Sequence, residues 1–199
     1  MPLSSPAERD HIHTRKITCT GYRRKDGLWD IEGHITDTKT YGFENNDRGE
    51  IPPGVPIHEM WLRITVRDDM VIHAAEAVTD HAPFSACDEI APNYENLVGL
   101  KIGPGLKQQI REKVGGIYGC THLTELMGPV ATTAFQTIFP IRVREAEERR
   151  KQAEQDGATS GPSRKRRSPL VNSCHGWRSD GAAVKRIAPD MYTGDPSSG

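Results

Sequence analysis

Gly115-Gly116-Ile117-Tyr118-Gly119-Cys120-Thr121-His122-Leu123-Thr124-Glu125-Leu126 is where the chain changes its local structure. In the first half of the chain, apolar residues alternate with polar ones. After this stretch, they recur at helical spacing. A glycine-rich turn delivers a cysteine and a histidine to the first turn of a long helix. A helix N-terminus favours negative charge and so favours a thiolate. A thiolate beside an imidazole can hold a metal or act as a nucleophile.

Working back from the turn, the first half reads as strands. Ile17, Cys19 and Gly21 alternate with Lys16, Thr18, Thr20 and Tyr22, and Asp26-Gly27 is a hairpin signal. A second strand runs from about Leu28 to Lys39, with Trp29, Ile31 and Ile35 on one face and Asp30, Glu32, His34 and Thr36 on the other. Tyr41 to Pro56 is a polar, Gly/Pro-rich loop. A third strand starts near Ile57, with Met60, Leu62, Ile64 and Val66 on its apolar face and His58 in phase with them. Met70 to Val78 reads as a fourth strand. The simplest product is an antiparallel meander with one buried and one wet face.

Working forward, Ser85 to Leu97 reads as a short helix limited by Pro92, and Leu106 to Val114 as a second, ended by Gly115 and Gly116. The third begins near Thr121 and carries the stripe Leu123, Leu126, Met127, Val130, Ala134, Phe135 and Ile138. Gly128-Pro129 predicts a kink or an early break there, and Pro140 a second interruption. Arg142 to Gln155 is charged throughout, a solvated helical extension. The fold class is therefore α+β, with about four antiparallel strands in the N-terminal half packed against about three helices in the C-terminal half. The organisation expected is a flexible leader (1–13), a single domain (14–140), a charged helical extension and linker (141–168), and a partly docked C-terminal segment (169–199). The run Arg164-Lys165-Arg166-Arg167 reads as a solvated spacer.

Composition narrows the partners. The 199 residues carry a formal net charge of −1, so no global field favours nucleic acid or a lipid surface. No apolar run approaches the roughly 20 residues that span a bilayer. Met1-Pro2-Leu3-Ser4-Ser5-Pro6 lacks the features of a secretory signal, so the expectation is a soluble, cytoplasmic chain with neither nucleic-acid nor membrane partner. The four cysteines include no CxxC pair, and in that compartment metal binding, catalysis or packing are the uses expected of them.

Several of these residues carry a family likeness. Tyr22-Arg23-Arg24-Lys25-Asp26-Gly27-Leu28-Trp29-Asp30, Pro56-Ile57-His58-Glu59-Met60, Cys87, Gly119-Cys120-Thr121-His122-Leu123 and Ala134-Phe135-Gln136 resemble an uncharacterised bacterial family catalogued as domain of unknown function 2889. The resemblance covers roughly residues 14 to 139, and Asn172-Ser173-Cys174-His175 looks like the family's later element. It implies a family and no reaction.

The site expected from the residues centres on Cys120 and His122. One tertiary fold could add His58, Cys87 and Cys174, a set that suits zinc or iron. Glu125 and Glu59 are the nearest carboxylates and candidate general bases. Cys19 reads as core, His11 and His13 as solvent-facing residues of the leader, His34 as a wet-face residue, and Asp80-His81 as a surface turn. Three functions remain open: a zinc- or iron-binding protein, a small-molecule enzyme using a Cys120 thiolate with His122 as acid/base, and a non-catalytic binding module or complex subunit.

Overall fold

The computed structural model describes residues 3–156, 168 and 170–194. The chain divides into two compact units, Met1–Ala146 and Glu147–Gly199. The run Arg164 to Arg167 lies outside the described residues.

The first unit is α+β. Strands β1 (His13–Arg23), β2 (Trp29–Lys39), β5 (Pro56–Val66) and β6 (Ile72–His81) form an antiparallel sheet in the order β1-β2-β5-β6. The alternation places Trp29, Ile31 and Ile35 of β2 and Met60, Leu62 and Ile64 of β5 on one buried face. The loop between these strands is not wholly irregular. Phe43–Asn45 (β3) and Gly49–Ile51 (β4) pair as a small hairpin, closed by the Asn45 side chain accepting from the Asp47 and Arg48 amides at 3.0 Å. The fourth long strand starts two residues later than its expected Met70, which takes a left-handed conformation (φ 67°) at the turn.

Ser85 to Leu97 is not one helix. It forms two 3-10 segments, Ser85–Cys87 and Ala91–Leu97, closed by i to i−3 bonds such as Cys87 N–H to Phe84 C=O at 3.1 Å. Pro92 sits in the first turn of the second segment, where its missing N–H costs least. Helix α1 (Leu106–Val114) follows, and then α2, which runs unbroken over Thr121–Gln155. Pro129 and Pro140 therefore do not end it. Each interior proline costs about 3 kcal/mol. Against that, Leu123, Leu126, Met127, Val130 and Ile138 are fully buried, each such side chain contributing about 1.5–3 kcal/mol. Packing outweighs the local penalty.

Glycine sets how closely α2 approaches the sheet. A Cβ on Gly33 of β2 would lie 2.5 Å from Val130 Cγ2 and 3.0 Å from Leu126 Cγ. The helix stripe therefore rests directly on bare strand backbone. Arg15 to Glu125 and Arg23 to Glu145 add ion pairs between β1 and α2.

The second unit contains a 3-10 turn at His175–Trp177, a short helix α3 (Ala182–Ile187) and a further turn at Pro189–Met191. Its segment 170–194 is tied internally by Asn172 N–H to Trp177 C=O at 2.8 Å and by Thr193 N–H to Ser179 C=O at 3.0 Å. No helix among the described residues is long and apolar enough to cross a membrane.

Candidate functional site

Strand register builds the site. Arg15, Asp37 and His58 are direct cross-strand partners in one row over β1, β2 and β5. All three occupy the phase of the buried face. A register shift between Asp37 and Thr38 interrupts the β2–β5 ladder at this point, a device often found beside functional sites.

Asp37 is the hub. Only 1% of its surface is exposed, yet both its oxygens are hydrogen-bonded. Arg15 grips it bidentately, Nε to Oδ1 at 2.8 Å and Nη2 to Oδ2 at 2.8 Å. His13 Nε2 lies 3.0 Å from Oδ1 and His58 Nδ1 3.1 Å from Oδ2. Burial raises the Asp37 carboxyl, but the Arg15 bonds and charge, with His13 and His58, outweigh it and hold the group below the usual carboxylate range. His13 is exposed, as expected of a leader residue, with 43% of its side chain open to solvent, but it is not without a partner. It opens β1 and binds the buried carboxylate.

Helix α2 brings the fourth group. The His122 ring stacks on His58, centroids 3.7 Å apart, with Nε2 3.7 Å from Asp37 Oδ2. Burial pushes both imidazoles down. Each also feels a positive neighbour, His122 acting on His58 and Arg15 on His122, so both favour the neutral form that ligates metals. Asp37, His58 and His122 each place one ligand atom within 4.8 Å of the other two.

Cys120 stands beside this group, its Sγ 3.8 Å from His122 Nδ1 and 3.7 Å from Met60 Sδ. The turn that holds it is pinned from below. The buried Tyr94 hydroxyl accepts from the Cys120 N–H at 3.1 Å and lies 2.8 Å from both the Cys120 carbonyl and the Thr124 hydroxyl. Thr124 in turn donates to the Val114 carbonyl at 3.0 Å. Gly119 is required by close approach, since a Cβ there would sit 1.9 Å from the Val114 carbonyl oxygen.

A cavity of about 730 Å³ opens onto the group, and His58, Cys87, Cys120 and His122 all line it. Its apolar walls include Met60, Phe84, Ile90 and Ile117. Of the other residues singled out from the sequence, Glu125 is exposed and paired with Arg15 Nη1 at 2.6 Å. Glu59 faces away, on the outer side of the sheet, bonded to His34 at 3.1 Å and His81 at 2.9 Å. Asp80 accepts from Trp61 Nε1 at 2.8 Å. Cys19 packs against the core, and burial raises its thiol. Cys174 belongs to the second unit, where it is exposed. All four cysteines are free thiols.

Sequence reasoning missed Asp37 and Arg15, although a signal was present. Asp37 continues the inward phase of Trp29, Ile31, Gly33 and Ile35, and Arg15 that of Ile17 and Cys19. A charge at a buried-phase position needs a partner.

The family profile described as "Protein of unknown function (DUF2889)" matches residues 13–136. The chain belongs to this family. The matched span starts where β1 starts and contains Arg15, Asp37, His58, Cys120 and His122. No curated protein matches the chain, and no solved structure does.

Proposed function

We propose that this DUF2889 member is a metal-binding protein that holds a zinc or iron ion through Asp37, His58 and His122. The observation that carries the reading is the cluster itself, three ligand atoms within 4.8 Å of one another, with His58 and His122 lining a cavity and Asp37 buried behind them. The donor set fits the group chemically. Two imidazoles and a carboxylate suit zinc, and the same trio suits non-haem iron(II). Both imidazoles favour the neutral form, and Arg15 and His13 together fill Oδ1 while Arg15 takes one site on Oδ2, which leaves Oδ2, the oxygen nearest His58 and His122, as the atom to face an ion. The Arg15 charge is offset by its two carboxylate partners, Asp37 and Glu125. Cys120 stands next to His122 as a further soft donor.

A bound ion would act as a Lewis acid facing the cavity. The chain's own residues would do the rest. Arg15 and His13 orient Asp37, the apolar walls limit water, and Asp37 fixes the tilt of His58. The test is elemental analysis of untagged protein purified without chelators, compared with His58→Ala and His122→Ala. About one ion per chain in the wild type, lost in both variants, is the expected result. A metal-free wild type that also fails to take up zinc on titration refutes it.

A second reading rests on a different alignment. Cys120 Sγ, His122 Nδ1, His122 Nε2 and Asp37 Oδ2 follow one another at 3.8 and 3.7 Å across the imidazole, the order of a thiol, its base and an orienting carboxylate. On this reading Cys120 is the nucleophile of a small-molecule enzyme. Metal-free protein in which iodoacetamide modifies Cys120 well ahead of the other three cysteines, and loses that selectivity in His122→Ala, favours it over the metal.

A further inference from the structure

A second cavity, also of about 730 Å³, lies on the other side of the Gly119–Thr121 turn, between α1 and α2. Its size falls in the range of small-molecule pockets, roughly 300–1,000 Å³. Its floor is apolar, formed by Leu106, Ile110 and Val114 of α1 and Met127 of α2. Gly128 and Ala131 keep the α2 wall low, and a Cβ on Gly128 would meet nothing within 4 Å.

The charge at the rim is one-sided. Lys107 and Arg111 are one helical turn apart on α1 and both line the cavity. Neither side chain has an ion-pair or hydrogen-bond partner among the described residues. The acid on the facing wall, Glu125, is already bound by Arg15 at 2.6 Å. The first turn of α2, at Thr121, opens onto the same space with its positive dipole end. An apolar trough with two unpartnered cations matches a molecule that is apolar along its body and anionic at one end.

We propose that this groove binds a small amphipathic carboxylate, its tail along Leu106, Ile110, Val114 and Met127 and its head at Lys107 and Arg111. The site is independent of the metal reading, because none of these residues belongs to the Asp37, His58 and His122 cluster.

The test is calorimetric titration of the full chain with decanoate and with decyltrimethylammonium, which puts the same tail on a cation. Decanoate should bind at one saturable site, at least about tenfold tighter than the cation, given the strength of charge-assisted hydrogen bonds. Lys107→Ala with Arg111→Ala should remove about that factor. Gly128→Leu and Ala131→Leu should each block binding while leaving metal content unchanged. Because residue 128 precedes a proline, Ala131→Leu decides the matter if Gly128→Leu does not fold. Equal binding of the two amphiphiles, wild-type binding by a folded blocking variant, or no uptake by the wild type overturns the proposal. A groove that instead buries a second copy of the chain shows as a dimer that decanoate does not dissociate, which overturns it equally.

Discussion

Replacing Asp37 with asparagine keeps the shape of the side chain and removes its charge. In the wild type this buried carboxylate accepts two bonds from Arg15 at 2.8 Å, with His13 at 3.0 Å and His58 at 3.1 Å. Removing one partner of a fully buried ion pair costs about 3–5 kcal/mol. The Arg15 side chain is 33% exposed, so water recovers part of its loss. The amide also turns a donor toward groups that are themselves donors. A destabilisation of about 2–3 kcal/mol at pH 7 results, measurable by urea unfolding of chelator-treated protein so that a bound ion does not contribute. The pH dependence identifies the cause. Asp37 has a depressed carboxyl, so its contribution is complete above the unfolded value of about 3.9 and is lost as pH falls through the folded value. His58 and His122 are also depressed, so the unfolded chain takes up protons first and stability begins to fall below about pH 6.5. Wild type should therefore lose stability in two stages on acidification. Asp37→Asn should keep the first stage and show a smaller second one, carried by the other depressed carboxyls Asp26, Asp47 and Asp69, so the gap between the two proteins narrows in strong acid. A variant within about 0.5 kcal/mol of wild type at pH 7, the range of an ordinary surface change, refutes the role given to this carboxylate.

Gly33→Ala places a methyl 2.5 Å from Val130 Cγ2, so overpacking should cost about 1–3 kcal/mol in a thermal melt. Adding Val130→Ala should restore part of it, and an unshifted melting temperature in the single variant contradicts the helix-on-backbone packing. Tyr94→Phe removes the hydroxyl beneath Cys120. Burial pushes that phenol up to about 12, so it stays neutral and bonded at any working pH. The loss should cost about 1–3 kcal/mol and speed alkylation of Cys120, and unchanged values of both argue against the pinned turn.

The sequence by itself determined the four long strands, their buried face, α1, the start of α2 and its stripe, because each rests on a local period of two or 3.6 residues. It also determined the family and placed His58, Cys120 and His122 among residues with site chemistry. Local signals failed where distant packing overrode them: at Pro129 and Pro140, which the buried stripe carries through, and at Ser85 to Leu97, which splits into 3-10 turns. Only the tertiary structure decided which groups meet. Strand register, not spacing along the chain, put Arg15 opposite Asp37 and Asp37 opposite His58, and the seat of α2 on Gly33 set how closely the helix carrying His122 packs on that row. Which partners meet in a sheet depends on pairing between residues about twenty apart, and a period that repeats every second residue contains no information about that register.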